Sequence, residues 1–305
     1  LKGGHALAQT GVDGQVLASV GLALVLAALV PALGWLVLRR LVSGFDAAAV
    51  AASYGSVSAV TFVTALQVLE AQGLPAPGHM TVAMVLMETP AIVMAVVLAS
   101  LLRQRGAAAK APLAAGMAVA GAGGTATLVL GGGPVQAGAG GPSLRQVLHE
   151  SFTDGAHLLL LGSLAIGFLG GDAGQAVMQP FTGSLFKGLL AFFLLDMGLL
   201  VARHFGVART QSPLLLAYAA LGPLVHAGIA LGLATLLALP VADAALLMVL
   251  SASASYIVVP AVLRHAVPEA NPALYLGLSL GVTFPLNILL GIPLYIGAAR
   301  WALGG

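Results

Sequence analysis

The chain has 305 residues, of which 59% are apolar and 7% are charged, and its mean hydropathy is +1.04. Soluble globular proteins carry about a quarter of charged residues, so this composition excludes a soluble domain and indicates a polytopic membrane protein. The formal net charge is +2, there is no cysteine, and the seven histidines include no close pair at metal-ligand spacing. Disulfides and thiolate metal sites are therefore excluded, and no basic stretch with interleaved aromatic residues points to nucleic acid.

Apolar runs along the chain predict the membrane spans, since a bilayer core about 30 Å thick needs about 20 apolar residues per helix. The opening Leu1-Lys-Gly-Gly resembles the end of a helix, so we expect the sequence to be truncated at its N-terminus. The fourth run is short and is expected to begin near residue 148. The eight runs are 17–38, 47–69, 80–102, 156–171, 180–202, 213–239, 241–263 and 273–299.

Residues 103–147 form a tract rich in Gly, Ala and Pro, a composition that is typical of a flexible linker. Three of the apolar runs precede this tract and five follow it. Two further spans upstream would give five helices in each half. We therefore predict an all-α membrane protein of two inverted repeats, each with a broken helix, in which the first span and most of the second are missing here. The predicted domains are an N-terminal repeat at 1–102, a cytoplasmic linker at 103–147 and a C-terminal repeat at 148–305.

Lys and Arg residues predict the orientation, because they accumulate in cytoplasmic loops. With the linker in the cytoplasm, only Lys2 and Arg300 fall outside, while Lys187 lies early in a span, from which its side chain can reach the interface. The spans 47–69 and 241–263 then run in opposite directions, as inverted repeats require. Nine residues fall inside, namely Arg39, Arg40, Arg103, Arg105, Lys110, Arg145, Arg203, Arg209 and Arg264.

A serine-rich motif interrupts two of the spans. Ser251-Ala-Ser-Ala-Ser-Tyr-Ile-Val-Val-Pro260 lies within run 241–263, and Ser53-Tyr-Gly-Ser-Val-Ser-Ala-Val-Thr61 lies within run 47–69. A proline cannot donate the backbone hydrogen bond that a helix expects. Freed backbone groups are tolerated inside a membrane only where neighbours or a water-filled cavity satisfy them. Both motifs therefore predict a break in a membrane helix.

The two motifs occupy matching positions in the two halves. Asp46 and Asp243 mark the starts of the two runs, and ten residues further on the serine pairs fall in register. Paired interruptions of this kind are the best sequence pointer to a transporter's binding site. In this register, Ser56 matches Ser253 and Ser58 matches Ser255.

Helix ends that meet in the membrane can bind an anion without Arg or Lys, because their free N–H groups carry partial positive charge. Small residues also permit tight helix packing, but two motifs in matching positions favour a binding site. The predicted anion site consists of the hydroxyl groups of Ser56, Ser58, Ser253 and Ser255 and the backbone N–H groups near Gly55, Val57 and Ala254.

Polar residues elsewhere in the spans are candidates for binding Na⁺. Glu88 and Asp196 are carboxyl groups within apolar runs, where such residues are functional by default, although a neutral carboxyl bonded to a neighbouring helix is the alternative. Glu88-Thr-Pro90 has a counterpart in the second half, Thr283-Phe-Pro-Leu-Asn287. Na⁺ prefers oxygen ligands, which such residues supply at helix breaks. The sodium candidates are Glu88, Thr283, Asn287, Asp196 and Thr61.

Together these motifs resemble the SbtA-type sodium-dependent bicarbonate transporters. The resemblance covers most of the chain except the linker, and its last segment is long and specific. The segments that carry it are 46–62 with Tyr54-Gly-Ser-Val-Ser58, Met84 to Pro90, Phe193-Leu-Leu-Asp-Met-Gly198, Ser253-Ala-Ser-Tyr-Ile257, and 268–295 with Gly281-Val-Thr-Phe-Pro-Leu-Asn287.

The resemblance implies ten spans in two inverted halves, a homotrimer in the inner (plasma) membrane, and Na⁺-coupled uptake of bicarbonate. It also implies inhibition by a PII-like regulatory protein on the cytoplasmic side. No cofactor is expected beyond Na⁺ as the coupling ion. Two alternatives stay open, namely Na⁺-coupled transport of another small or organic anion, and a passive anion channel. An enzyme ranks last, since the sequence offers no acid–base constellation and no Gly-x-Ser-x-Gly element.

Overall fold

The computed structural model describes residues 1–11, 13–74, 77–117 and 155–304. Within these ranges, α-helices and three short π-helical turns are the only regular elements. Among the described residues, six helical segments are long and apolar enough to cross a membrane. The predicted all-α polytopic membrane fold is therefore confirmed.

The first five helices precede the Gly/Ala/Pro-rich tract. Several begin at a side-chain cap, where an oxygen accepts one of the otherwise free N–H groups of the first turn; Asp13, for example, accepts from the Val16 N–H. The helices are α1 (Lys2–Thr10), α2 (Gly14–Leu38), α3 (Gly44–Gly55), α4 (Ala59–Ala71) and α5 (His79–Met117).

The remaining helices follow the tract, and three π turns interrupt them. These helices are α6 (Gly155–Pro180), α7 (Phe186–Arg209), α8 (Pro213–Leu236), α9 (Val241–Ala252), α10 (Val258–Ala266), α11 (Pro272–Leu278), α12 (Phe284–Leu286) and α13 (Ile292–Leu303). The π turns are Phe181–Leu185, Ser279–Thr283 and Asn287–Gly291. The elements from α11 to α13 form one span, Pro272–Leu303.

The helical segment Leu161–Arg203 has 43 residues, so it is about 65 Å long and roughly twice what a bilayer core requires. Two features divide it. Gly171 has φ 54° and ψ −154°, a conformation that a residue with a Cβ rarely adopts, and a π turn follows at Phe181–Leu185. This division corresponds to the two apolar runs expected there.

The structure differs from the sequence-based boundaries at the end of α5. This helix continues to Met117, so residues 103–117 of the expected linker are helical. The cause is local, because alanine has the highest helix propensity and the stretch after Arg105 is rich in it. The rest of the expected linker lies outside the described residues.

The two interrupted helices lie at the centre of the molecule. In the most apolar part of Gly44–Ala71, 78% of residues are buried, against 6% in Leu161–Arg203. Every residue from Ala47 to Gly55 and from Ala242 to Ala252 is buried. A helix that is buried on all sides must pack against protein all round, and α2, α5, α8 and α13 supply that packing.

Candidate functional site

Both predicted helix breaks are present. After α3 ends at Gly55, Ser56 is extended with φ −96° and ψ 178°, and α4 begins at Ala59. After α9 ends at Ala252, Ser253 is extended with φ −78° and ψ 163°, and α10 begins at Val258. Pro260 lies in the first turn of α10, where a missing N–H costs no helical hydrogen bond.

The two breaks cross and are hydrogen-bonded to each other. The Ser255 N–H donates to the Ser53 carbonyl at 2.7 Å, and the Ser58 N–H donates to the Ser253 Oγ at 3.0 Å. The Ser58 hydroxyl donates to the Tyr256 hydroxyl at 3.4 Å. These five residues are all buried. The structure therefore brings together the two motifs that lie about 200 residues apart in the sequence.

Gly55 allows the first break to lie against α2. A Cβ atom on Gly55 would come within 2.3 Å of the Cβ of Pro31, far inside van der Waals contact. The N–H of Gly55 belongs to the last turn of α3, so it follows the helical pattern and does not face the crossing as a free donor. Gly55 thus contributes close packing at this position.

Free hydrogen-bond donors remain around the crossing. The buried Ser56 hydroxyl has no partner, and the hydrogen bonds of the described residues leave the N–H groups of Val57 and Ala254 unpaired. The first turns of α4 and α10 add N–H groups that lack helical acceptors and carry partial positive charge. A buried polar group without a partner is costly, so these donors mark a place for an acceptor.

The four serines of the crossing differ in what their hydroxyl groups already do. Ser58 Oγ accepts from the Thr61 N–H at 3.2 Å and from the Thr61 hydroxyl at 3.0 Å, while it donates to Tyr256. Ser253 Oγ accepts from Ser58 and donates to the Leu250 carbonyl at 2.8 Å. Ser255 Oγ accepts from the Val259 N–H at 3.3 Å, so its proton is still available. Ser56 and Ser255 are thus the hydroxyls that remain free to donate to a ligand.

Two of the last three carbonyl groups of α9 are capped by side chains. Ser253 donates to Leu250 at 2.8 Å, and the Asn287 amide donates to Ala252 at 2.7 Å. A helix C-terminus normally exposes such carbonyl oxygens and can bind a cation with them. At this break the caps occupy the oxygens of Leu250 and Ala252.

The predicted sodium residues lie in different surroundings. The hydroxyl of Thr283 donates to the Ala219 carbonyl and accepts from Tyr54 at 2.6 Å. Thr61 Oγ1 donates to Ser58, which leaves its lone pairs free. Thr283 ends one π turn and Asn287 begins the next, and π turns are frequent at functional sites.

Glu88 and Asp196 are the two carboxyl groups among the sodium candidates. Glu88 is 8% exposed, whereas Asp196 is exposed on α7 beside the buried Met197. On α5, Glu88 lies between Met87 and Ile92, which belong to different hydrophobic clusters. The same two clusters also contain residues of the crossing, Val57 in one and Ala254 in the other.

A cavity of about 670 Å³ lies beside α4 and is separate from the crossing. Its wall on α4 includes Val63, Gln67 and Glu70, which form one face of the helix whose first turn borders the first break. Ala59, the first residue of that helix, is exposed. The cavity and the crossing therefore share one helix, and the break itself is accessible at its edge.

Three buried contacts near the broken helices were not predicted from the sequence. Asp243 accepts from Ser19 at 2.5 Å and contacts the His79 ring at 2.8 Å. Tyr295 donates to Asn287 at 2.9 Å. Asp243 was recognised only as the start of a run, and nothing in the local sequence identifies partners that lie far away along the chain.

Comparison with protein families matches residues 1–300 to the Na⁺-dependent bicarbonate transporter superfamily. A search of curated proteins finds no significant match. The family match covers nearly the whole chain, including both helix breaks.

Proposed function

The chain belongs to the Na⁺-dependent bicarbonate transporter superfamily, and on that premise we propose that it is a symporter that imports bicarbonate with Na⁺ and binds the anion where the two helix breaks cross. Bicarbonate is small, planar and singly charged. Hydroxyl and N–H donors can match its oxygen atoms without adding a fixed charge to the site.

The observation that carries this proposal is the buried, unpartnered Ser56 hydroxyl, which lies in the first break just before the N-terminus of α4. Neither broken span contains Lys or Arg between residues 47 and 69 or between 241 and 263. The attraction for an anion then comes from partial charges alone. Such a site suits a carrier, because a carrier must release its substrate as well as bind it.

For Na⁺, the candidate ligands are the hydroxyl oxygens of Thr61 and Thr283, each of which keeps a lone pair, and the buried carboxyl group of Glu88. Asn287 and Asp196 are less well placed, since both polar atoms of Asn287 are hydrogen-bonded and Asp196 is exposed. We predict that Glu88→Gln raises the Na⁺ concentration for half-maximal uptake, because a neutral amide attracts a cation less than a carboxylate. Unchanged Na⁺ dependence at normal expression would remove Glu88 from the cation site.

The assembly proposed is a homotrimer in the inner (plasma) membrane, with a PII-like regulatory protein as its partner on the cytoplasmic side. The resemblance of the motifs supports both. Chemical cross-linking in the membrane would test the trimer, and co-purification with such a regulator would test the second partner.

The function is tested by uptake of labelled bicarbonate into cells or vesicles that contain the full protein, with and without Na⁺. We expect accumulation against a gradient that requires Na⁺. Flux that only follows the bicarbonate gradient would indicate a channel. If another anion inhibits uptake at a concentration lower than that of bicarbonate, that anion is the preferred substrate. Ser56→Ala should impair uptake, whereas Ser100→Ala, which removes only a bond to the Val96 carbonyl on α5, should not.

A further inference from the structure

We propose that Tyr295 and Asn287 are positioning residues that hold the second helix break in its anion-binding shape, and that Asn287 is not a cation ligand. This inference rests on the proposed function, because it names what orders that site. Asn287 begins the last π turn and Tyr295 lies two turns later, on α13. Both are about 2% exposed.

The two residues form a chain of hydrogen bonds that ends on the last residue of α9. The Tyr295 hydroxyl donates to Asn287 Oδ1 at 2.9 Å, and Asn287 Nδ2 donates to the Ala252 carbonyl at 2.7 Å. An amide side chain has one acceptor end and one donor end. Here each end already has a buried partner of the right kind, so the amide satisfies its neighbours and not a metal ion.

The tyrosine fixes which way the amide faces. An asparagine amide can turn over by 180°, which exchanges its oxygen and nitrogen. In the turned orientation, the oxygen of Asn287 would face the Ala252 carbonyl and lose the bond. A hydroxyl that donates to Oδ1 favours the observed orientation, so Tyr295 acts on the Ala252 carbonyl through Asn287.

Gly291 provides the space in which this bond forms. A Cβ atom on Gly291 would lie 2.6 Å from Asn287 Oδ1 and 2.9 Å from the Tyr295 ring. A methyl group there must push the two residues apart. The glycine, the asparagine and the tyrosine are spaced four residues apart, and the π turn between them widens the helix at this place.

Ala252 connects the chain of bonds to the crossing. The next residue, Ser253, accepts the N–H of Ser58 and so joins the second break to the first. If Ala252 loses its bond to Asn287, the end of α9 is free to move and carries Ser253 with it. We therefore expect the loss to weaken anion binding and to leave Na⁺ binding nearly unchanged.

The test compares Tyr295→Phe and Gly291→Ala with Tyr218→Phe. Tyr218 is a matched control, because its hydroxyl is buried without a partner and its removal breaks no hydrogen bond. We expect Tyr295→Phe and Gly291→Ala to raise the half-saturating bicarbonate concentration roughly three- to tenfold, the effect of one lost hydrogen bond. The half-saturating Na⁺ concentration, measured at saturating bicarbonate, should change less than twofold. Tyr218→Phe should change neither.

A second measurement does not depend on transport. The chain has no cysteine, so a single Ser255→Cys substitution places one thiol at a buried position in the break, and Ile257→Cys places one at a position that is 58% exposed. In purified protein, Tyr295→Phe should speed thiol labelling at position 255 several-fold and leave labelling at position 257 unchanged.

The outcomes separate the alternatives. A rise in half-saturating Na⁺ with unchanged bicarbonate affinity would make Asn287 a cation ligand and overturn the inference. Labelling and affinities equal to those of Tyr218→Phe would show that the chain of bonds only fills space, which overturns it as well. If the parent protein shows no Na⁺-dependent uptake, the proposed function fails, and the labelling rates still decide whether Tyr295 orders the break.

Discussion

Single hydroxyl groups at the crossing differ in what their removal would cost. The hydroxyl of Ser56 makes no hydrogen bond within the protein, whereas the Ser253 hydroxyl joins the two breaks by accepting the Ser58 N–H. Removing a buried group that has no partner costs little stability, while leaving a buried N–H unpaired costs about 1–3 kcal/mol. We therefore expect the loss of the Ser56 hydroxyl to affect mainly anion binding and the loss of the Ser253 hydroxyl to affect mainly the stability of the fold.

We predict that Ser56→Ala raises the half-saturating bicarbonate concentration roughly ten- to a hundredfold, since a hydrogen bond to a charged ligand is worth about 1.5–3 kcal/mol. Its melting temperature should stay unchanged. Ser253→Ala should instead lower the melting temperature. Uptake kinetics and thermal unfolding of both variants would check this, with Ser100→Ala as the control. A Ser56→Ala protein with normal affinity would place the anion elsewhere.

An ion pair at one end of the molecule gives a pH-dependent prediction. Arg103 donates two hydrogen bonds of 2.7 Å to Glu269, which lies in the loop before α11. These bonds lower the pKa of the Glu269 carboxyl below its usual value of 4.5. The stability from this pair is then present above about pH 4.5 and is lost as the pH falls through the lowered pKa.

We predict that Glu269→Gln lowers stability at pH 7 by at most about 1 kcal/mol, because the pair is partly exposed to solvent and screened. The difference from the parent should shrink as the pH falls below about 4.5. Thermal unfolding at several pH values would measure it. An effect that is constant with pH would mean that the charge of Glu269 contributes nothing, and the Arg103→Gln/Glu269→Gln double variant provides the additivity check.

At the scale of helices, each broken helix is tied to the start of a helix in the other half of the chain. Asp243, at the start of α9, contacts His79 at the start of α5. Asp46, near the start of α3, accepts the N–H of Asn271 just before α11 at 2.8 Å. This reciprocal arrangement is what two inverted repeats would produce, and the inverted repeat itself stays a prediction.

The Asp243–His79 and Asp46–Asn271 contacts differ in burial, so they should contribute different free energies to folding. Asp243 is 2% exposed and its loss would leave the buried Ser19 and His79 without their partner, whereas Asp46 is half-buried. We predict that Asp243→Ala destabilises by on the order of 2–4 kcal/mol, and Asp46→Ala by less than about 1 kcal/mol. Thermal unfolding of the purified variants would test this, and equal shifts would contradict it.

The helix breaks could be predicted because their causes are local. Serine, glycine and proline at fixed spacing act on their own backbone, so Ser53–Thr61 and Ser251–Pro260 identified the breaks directly. The partners of Asn287 could not be predicted, because Ala252 and Tyr295 meet it only after the helices have packed. The end of α5 was missed for another reason, since helix propensity there outweighs the glycine-rich composition further on.

At the scale of the whole molecule, charged side chains are separated between two ends. Arg103 lies over the Phe45 ring at 6.0 Å and donates to the Ala266 carbonyl, so this part of α5, the start of α3 and the end of α10 share one end. At the other end, Lys2 pairs with Glu70 at 3.2 Å. The spans between these ends are apolar, so the Lys and Arg residues at the two ends determine which end faces the cytoplasm.

We predict that the end with Arg103 faces the cytoplasm, because Arg39, Arg40, Arg105 and Arg264 accompany it there in the predicted topology. The chain has no cysteine, so single substitutions at exposed positions can report sidedness. Gln104→Cys, next to Arg103 on α5, should react with a membrane-impermeant thiol reagent only from the inside. Gln72→Cys, at the end of α4, should react only from the outside. The reverse labelling pattern would show that the protein has the opposite orientation in the membrane, which would contradict the inward direction proposed for bicarbonate transport.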